Sequence, residues 1–211
     1  MIIPDHIESG RTWLSKGLVR KAKKIANENI RLLHSLITPE TPLIGIEPSA
    51  ILTFRDEYVD LANDQHLVEA RNLASHVFLI DEFIAKEIEK GHITGENFTK
   101  EKRTIKLHGH CQQKALSSVM HSHRLLTLPQ NYKVEIIPSG CCGMAGSFGY
   151  EKEHYELSMK IGELVLFPAV RSANDHTVIA APGTSCRHQI KDGTGRVALH
   201  PVEVLYEALI G

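Results

Sequence analysis

Cys141 and Cys142 are adjacent in Ser139-Gly140-Cys141-Cys142-Gly143, and the chain of 211 residues holds four cysteines in all. The others are Cys111, in His108-Gly109-His110-Cys111, and Cys186, in Gly183-Thr184-Ser185-Cys186. Neighbouring side chains on a regular backbone diverge. A Cys-Cys pair therefore turns both sulfurs toward one ion or cluster only where the chain bends, and flanking glycines permit that bend. We read the four as one thiolate metal site, Cys111, Cys141, Cys142 and Cys186, assembled from three loops. Four thiolates hold zinc tetrahedrally or hold an iron–sulfur cluster. The spacing C-x29-CC-x43-C matches neither the paired C-x2-C arms of zinc ribbons nor the C-x2-C runs of ferredoxins. The adjacent pair favours a cluster of more than one metal atom, because two neighbouring sulfurs chelate one small ion with strain. A vicinal disulfide or redox-active thiol is the competing functional reading. For Cys186 alone, a buried small hydrophobe is the bland one.

The surroundings add candidates of lower rank. His108 and His110 flank Cys111 and share one parity of an extended segment, so both can face the site as ligands or donors to sulfur. Gly140, Gly143 and Gly183 supply bendable backbone and N–H groups that tune a cluster. His188 and His200 are weaker candidates among thirteen histidines. Gly143-Met144-Ala145-Gly146-Ser147-Phe148-Gly149 has some look of a nucleotide loop, but G-x2-G-x2-G is not the dinucleotide fingerprint. No Ser-His-Asp set or paired carboxylates can be read, so no catalytic residue is assigned. The run Lys16 to Lys24 reads as the solvated face of a helix.

These residues need elements to position them. Strands expected at 104–107, 133–138 and 177–181 each lead into a cysteine loop. Strands alternate with helices throughout, which predicts an α/β fold with parallel strands and flanking helices. Right-handed crossovers then bring the three loops to the carboxyl ends of the strands, where open α/β sheets keep their sites. Apolar stripes predict long helices over Leu14–Leu36 and Lys152–Val170, with Pro168 kinking or ending the second, and a further helix over 112–128.

The chain also reads as duplicated. Ile2-Ile3-Pro4 recurs as Ile136-Ile137-Pro138. Each is followed by a Gly loop, a long helix and a strand ending in proline, at Pro48 and at Pro182. Helices led by His76 and His200 close the two halves. We expect two pseudo-symmetric repeats, 1–100 and 101–211, the second carrying the cysteine site. The first lacks a counterpart to strand 104–107 and helix 112–128, so it is expected to be truncated at its N-terminus and degenerate. A fragment of this kind is expected to form a homodimer or a ragged N-terminal lobe.

The formal net charge of −1 gives no electrostatic case for nucleic acid. No apolar stretch approaches the roughly 18 residues of a membrane span, and the N-terminus does not read as a signal peptide. A cytoplasmic setting is expected, where four cysteines serve metal or redox chemistry rather than a disulfide framework.

Four segments carry a family resemblance: 108–115 (His-Gly-His-Cys-x-Gln-Lys-Ala), 140–150 (Gly-Cys-Cys-Gly-Met-Ala-Gly-Ser-Phe-Gly-Tyr), 183–190 (Gly-Thr-Ser-Cys-Arg-His-Gln-Ile) and 200–205 (His-Pro-Val-Glu-Val-Leu). The chain resembles the cysteine-rich CCG domain. It is similar to the C-terminal part of FAD-linked dehydrogenases for D-lactate, glycolate and D-2-hydroxyglutarate, with the iron–sulfur subunit of glycolate oxidase and the B-type subunit of heterodisulfide reductase as relatives. Residues 46–58 also match these dehydrogenases. The resemblance implies an iron–sulfur (4Fe-4S type) electron-transfer domain of an oxidoreductase, passing electrons from flavin toward a quinone or carrier. The FAD lies in a part of the parent outside this chain, and the fragment alone is expected to be inactive. The parent complex would sit in the cytoplasm or against the inner membrane. A zinc-stabilised interaction module without redox activity is the alternative. The chain departs from the fullest pattern at Gly183, where the first cysteine of a Cys-x-x-Cys is absent. In the first repeat Asp5, His6 and Ala50 stand near where cysteines would be.

Overall fold

The computed structural model describes residues 6–210. Ile2-Ile3-Pro4 and Asp5, the first landmark of the duplication, lie outside the described residues. The fold is α/β, and every pairing within its two sheets is parallel. The chain divides into two compact units, Met1–Leu79 and Ile80–Gly211. That division falls some twenty residues ahead of the 100/101 boundary read from the sequence.

The first unit runs α1 (Arg11–Ser15), α2 (Val19–Leu33), β1 (Leu43–Gly45), α3 (Pro48–Arg55), α4 (Glu57–Leu61), α5 (Leu67–Ser75) and β2 (Val77–Leu79). The single helix expected over 14–36 is two, because Gly17 adopts a left-handed φ of 71° between α1 and α2. Leu18 thereby leaves the apolar stripe and is exposed. The buried face of α2 is Ala22, Ala26, Asn29, Ile30 and Leu33. Lys16, Arg20, Lys21, Lys23 and Lys24 lie in solvent, as their spacing predicts. Asn29 accepts from the Ile7 N–H at 3.0 Å and donates to the Tyr58 hydroxyl at 2.8 Å, which fixes the entering segment. Pro48 occupies the first turn of α3, where its missing N–H costs nothing. Arg55 at the far end donates to the Val77 carbonyl. His76 does not lead a helix as expected. Val77-Phe78-Leu79 forms β2 beside β1, since three large apolar residues at a sheet position override helical patterning.

The second unit runs α6 (Ile80–Glu89), β3 (Arg103–Leu107), α7 (Cys111–Leu116), α8 (Val119–Leu126), β4 (Tyr132–Ile136), α9 (Tyr155–Leu164), α10 (Leu166–Arg171), β5 (Val178–Ala180), α11 (Thr184–Thr194), β6 (Ala198–Leu199) and α12 (Pro201–Tyr206). Its sheet has the order β4-β3-β5-β6. Two core clusters form. Ile179 joins one with Ile137, Leu166, Phe167, Val170 and Ile190, while the next residue, Ala180, joins the other with Ile105, Leu107, Leu125 and Val204. Alternate residues of one strand point to opposite faces, so a strand buried on both faces is apolar throughout.

The helices expected over 112–128 and 152–170 are each divided. Ser118 caps α8 through its hydroxyl, which accepts from the Met120 N–H at 3.1 Å. The second break falls at Val165, and Pro168 lies inside α10 instead of ending it. Proline is tolerated there because the first turn of a helix needs no internal partner for its N–H. The Phe167 ring fills a slot between two glycines. A Cβ on Gly162 or on Gly193 would come within 2.3 Å of its Cζ.

Candidate metal centre

Parallel register brings the cysteine loops together. The β3, β4 and β5 strands are neighbours with their carboxyl ends on one edge, and the ladder continues into the loops. The Ile137 N–H donates to the Leu107 carbonyl, and the His108 N–H to the Ala180 carbonyl, both at 2.8 Å. From this edge β3 leads to Cys111, the first residue of α7. The β4 strand leads to Cys141 and Cys142, and β5 leads to Cys186 in the first turn of α11. All four are free thiols, with Cys142 and Cys186 buried, Cys141 half-buried and Cys111 exposed.

The thiols form a continuous hydrogen-bonded series. Cys111 meets Cys141, Cys141 meets Cys142, and Cys142 meets Cys186, which faces the His108 ring. Sharing protons along this series separates their acidities. Cys141 is held far below the ordinary thiol range, first because Cys111 and Cys142 donate to it, with the Gly143 and Ala145 N–H groups adding to this. Cys186 is lowered by the bond from Cys142 and then by His108, against the opposing effect of burial. Cys111 is raised by its bond to Cys141 and then by burial, and Cys142 by its bonds to Cys141 and Cys186. Two sulfurs thus carry negative charge while two keep their protons. A bound cation relieves this crowding by displacing the remaining protons.

The Cys-Cys turn is built by glycine at one position. Gly143 has a φ of +105°, and a Cβ there would lie 2.1 Å from the Ser158 carbonyl oxygen. Its N–H donates to the Cys141 sulfur at 3.3 Å. Ala145 and Gly146 follow with φ of 42° and 72°. Consecutive left-handed residues aim backbone donors inward as an anion-binding nest. Those donors meet Cys141, so the groups that a phosphate would need are engaged by sulfur. Gly140, by contrast, has open space around it.

His108 and His110 both reach the site, as their shared parity predicts. His108 is 1% exposed, and its Nδ1 lies 2.7 Å from the Ser139 hydroxyl. A ring nitrogen of His108 and the sulfurs of Cys142 and Cys186 lie within 4.8 Å of one another. His110 caps α7 through Nδ1, which accepts from the Gln112 N–H at 3.2 Å. Its ring stands over Gly183, where a Cβ would come within 2.3 Å of His110 Cδ2 and 3.3 Å of the Cys186 sulfur. The absence of a side chain at 183 therefore makes room for His110. The other two histidines stand apart in role. His188 is exposed and bonded to the Tyr150 hydroxyl at 3.0 Å. His200 caps α12, its Nδ1 accepting from the Val202 N–H at 3.1 Å.

Two partners of the site carry no strong sequence signal. Lys114 donates to the Ser139 and Gly140 carbonyls and so pins the Cys-Cys turn. Its pKa is lowered by burial while the sulfurs pull it back up. Lys114 lies one helical turn after Cys111, a spacing that puts both on one helix face and could have flagged it. Beneath α7, Gln113 donates to the Ser122 hydroxyl at 2.8 Å, and Ser122 donates to the buried Asp81 carboxylate. Burial raises the Asp81 pKa, with His200 acting in the opposite direction. A carboxyl raised on folding adds stability below its unfolded pKa and loses it as pH rises through the folded one. Asp81→Asn is therefore expected to match or exceed wild-type stability at pH 8, and to flatten the fall in stability above about pH 4. Urea unfolding at several pH values measures this, and an Asp81→Asn chain less stable than wild type only at pH 8 contradicts it.

No protein-family model matches the chain. It is similar to D-2-hydroxyglutarate dehydrogenase of Escherichia coli (strain K12), at 29% identity over 205 residues. The corresponding dehydrogenase of Haemophilus influenzae is 27% identical over 208 residues. Each alignment covers 95% of this chain and 19% of the relative. The C-type subunit of the anaerobic glycerol-3-phosphate dehydrogenase of Escherichia coli (strain K12) is 25% identical over 203 residues, or 95% of this chain and 49% of that protein. The chain thus spans about a fifth of the D-2-hydroxyglutarate dehydrogenases and about half of the glycerol-3-phosphate dehydrogenase component. Its similarity is to dehydrogenase-related proteins, as a minor part of the larger ones.

Proposed function

We propose that this chain is an iron–sulfur electron-transfer module of a flavin-linked 2-hydroxy-acid dehydrogenase. The observation that carries the reading is the meeting of four free thiols from three loops at one sheet edge. Its donor set fits a thiophilic centre, since sulfur dominates and one buried imidazole nitrogen has no partner. Cys111, Cys141, Cys142 and Cys186 would hold the group, which when bound supplies one-electron storage. Gly143 and Ala145 donate N–H groups toward sulfur, Lys114 holds the turn, and the apolar cluster beneath Cys142 and Cys186 excludes water. Hydrogen bonds and exposure of this kind set the potential. The likeness to whole dehydrogenases and to a component of a multi-chain one supports a flavin-bearing partner domain or subunit, with a quinone or small carrier taking the electrons. The reading places the parent in the cytoplasm or against the inner membrane. Among the described residues no helix is long and apolar enough to cross a membrane.

The reading includes the duplication. In support, β1 and β5 are each followed by a proline-led turn into a helix and each pair in parallel with the next strand in sequence.

The test is functional. The anaerobically loaded chain alone should turn over neither D-lactate, glycolate nor D-2-hydroxyglutarate with a dye acceptor, yet its visible absorption should bleach when photoreduced flavin mononucleotide is added. Turnover by the chain alone, or a spectrum indifferent to reduced flavin, contradicts the proposal.

A further inference from the structure

We propose that His108 is itself a metal ligand, its Nε2 joining the sulfurs of Cys142 and Cys186 on the buried face of the centre. The inference rests on the thiolate-centre reading above and adds to it a nitrogen donor. Three observations carry it. The first is burial without satisfaction: His108 is 1% exposed and its Nε2 has no hydrogen-bond partner. A buried polar atom left unpaired costs about 1–3 kcal/mol, so a native structure keeps one only where something else uses it.

The second is the tautomer. The Ser139 hydroxyl lies 2.7 Å from His108 Nδ1 and donates toward the Ile137 carbonyl at 3.5 Å. With its own hydrogen so directed, the Ser139 oxygen accepts the Nδ1–H. The proton then sits on Nδ1, and the Nε2 lone pair faces the sulfurs. A ligating histidine held by a hydrogen bond at its other nitrogen is the usual arrangement at metal sites. The third is convergence on rigid elements. With Nδ1 engaged, Nε2 is the nitrogen left to the triad whose three donor atoms lie within 4.8 Å of one another. A tetrahedral ion separates its ligands by roughly 3.5 Å, given bonds of about 2.0–2.3 Å. The His108 backbone is tied to β5 and Cys186 sits in the first turn of α11, so the triangle is set by sheet and helix.

Cys111, the exposed thiol, and Cys141 complete the outer side. The centre is then asymmetric, with imidazole and two sulfurs inward and two sulfurs toward solvent. A nitrogen ligand in place of a thiolate also raises the potential of an iron–sulfur centre.

X-ray absorption on the whole chain decides the matter. The protein is loaded anaerobically with zinc alone and, separately, with iron and sulfide. The wild-type zinc spectrum should show a nitrogen shell near 2.0–2.1 Å with imidazole scattering, beside sulfur near 2.3 Å. His108→Ala should lose that shell and weaken zinc binding more than about tenfold, and Ser139→Ala should keep the shell while weakening binding by up to about tenfold. The wild-type spectrum alone suffices if a variant fails to fold. A sulfur-only shell in the loaded wild type overturns the nitrogen ligand and leaves the thiolate centre standing. A chain that takes up neither metal overturns both.

Discussion

Cys186→Ala should reduce the metal retained by the loaded chain to less than about a tenth of the wild-type level when both compete with the same chelator. Removing an outer partner of a metal ligand costs 10–100-fold in affinity, and removing the ligand itself costs more. Cys186 is the sharpest position for this test because two readings of it diverge. It is 2% exposed and packed with Ile137, Leu166 and Ile190, as a small hydrophobe would be. It also accepts from Cys142 and faces His108, as a ligand would. If packing were its whole role, alanine would cost roughly 1 kcal/mol of stability and leave metal content unchanged. His188→Ala serves as the control. Its side chain is exposed and bonded to Tyr150, so retained metal should not change. Chelator competition followed by elemental analysis reads both outcomes.

Gly143→Ala should destabilise the second unit by about 2–5 kcal/mol and lose the centre as well. A left-handed backbone costs an alanine about 1–2 kcal/mol, and forcing an atom into a filled space about 1–3 kcal/mol more. The φ of +105° supplies the first cost, and the Ser158 carbonyl 2.1 Å from the added Cβ supplies the second. The same change at Gly140, two residues before Cys142, meets nothing within 4 Å and should be close to neutral. Denaturant unfolding of the two variants measures the difference. Equal stabilities would mean that the Cys-Cys turn does not depend on the conformation of Gly143.

The contrast between those glycines marks where sequence reading stops. Both flank the cysteine pair, and composition treats them alike. What separates them is Ser158, fifteen residues beyond Gly143, and no local pattern shows that approach. The meeting of the cysteine loops was legible for a general reason. Alternating strands and helices impose parallel strands, and parallel strands put the following loops on one edge. The parity of His108 and His110 was legible too, because an extended segment alternates faces.

Helix continuity was not. Apolar stripes run through Gly17, Ser117-Ser118 and Val165, and each stripe survives a break when the two pieces still bury one face. The Val77-Phe78-Leu79 strand was missed because three apolar residues fit either element until a neighbouring strand is known. The duplication rests on landmarks of which the first, Ile2-Ile3-Pro4, lies outside the described residues. The strand order β4-β3-β5-β6 was not foreseen, since a crossover connection carries no residue signal for the side on which it returns. The role of Gly183 emerged only with the His110 ring standing over it.

The central claim is that the four thiols gather to hold an iron–sulfur centre. The most direct measurement is iron and acid-labile sulfide per chain after anaerobic reconstitution, taken with the visible absorption of the same sample. The account predicts iron and sulfide in comparable amounts, a brown chromophore, and loss of both in Cys141→Ser. A colourless chain that binds zinc and takes up no iron with sulfide would contradict it, leaving the thiols as a structural clasp.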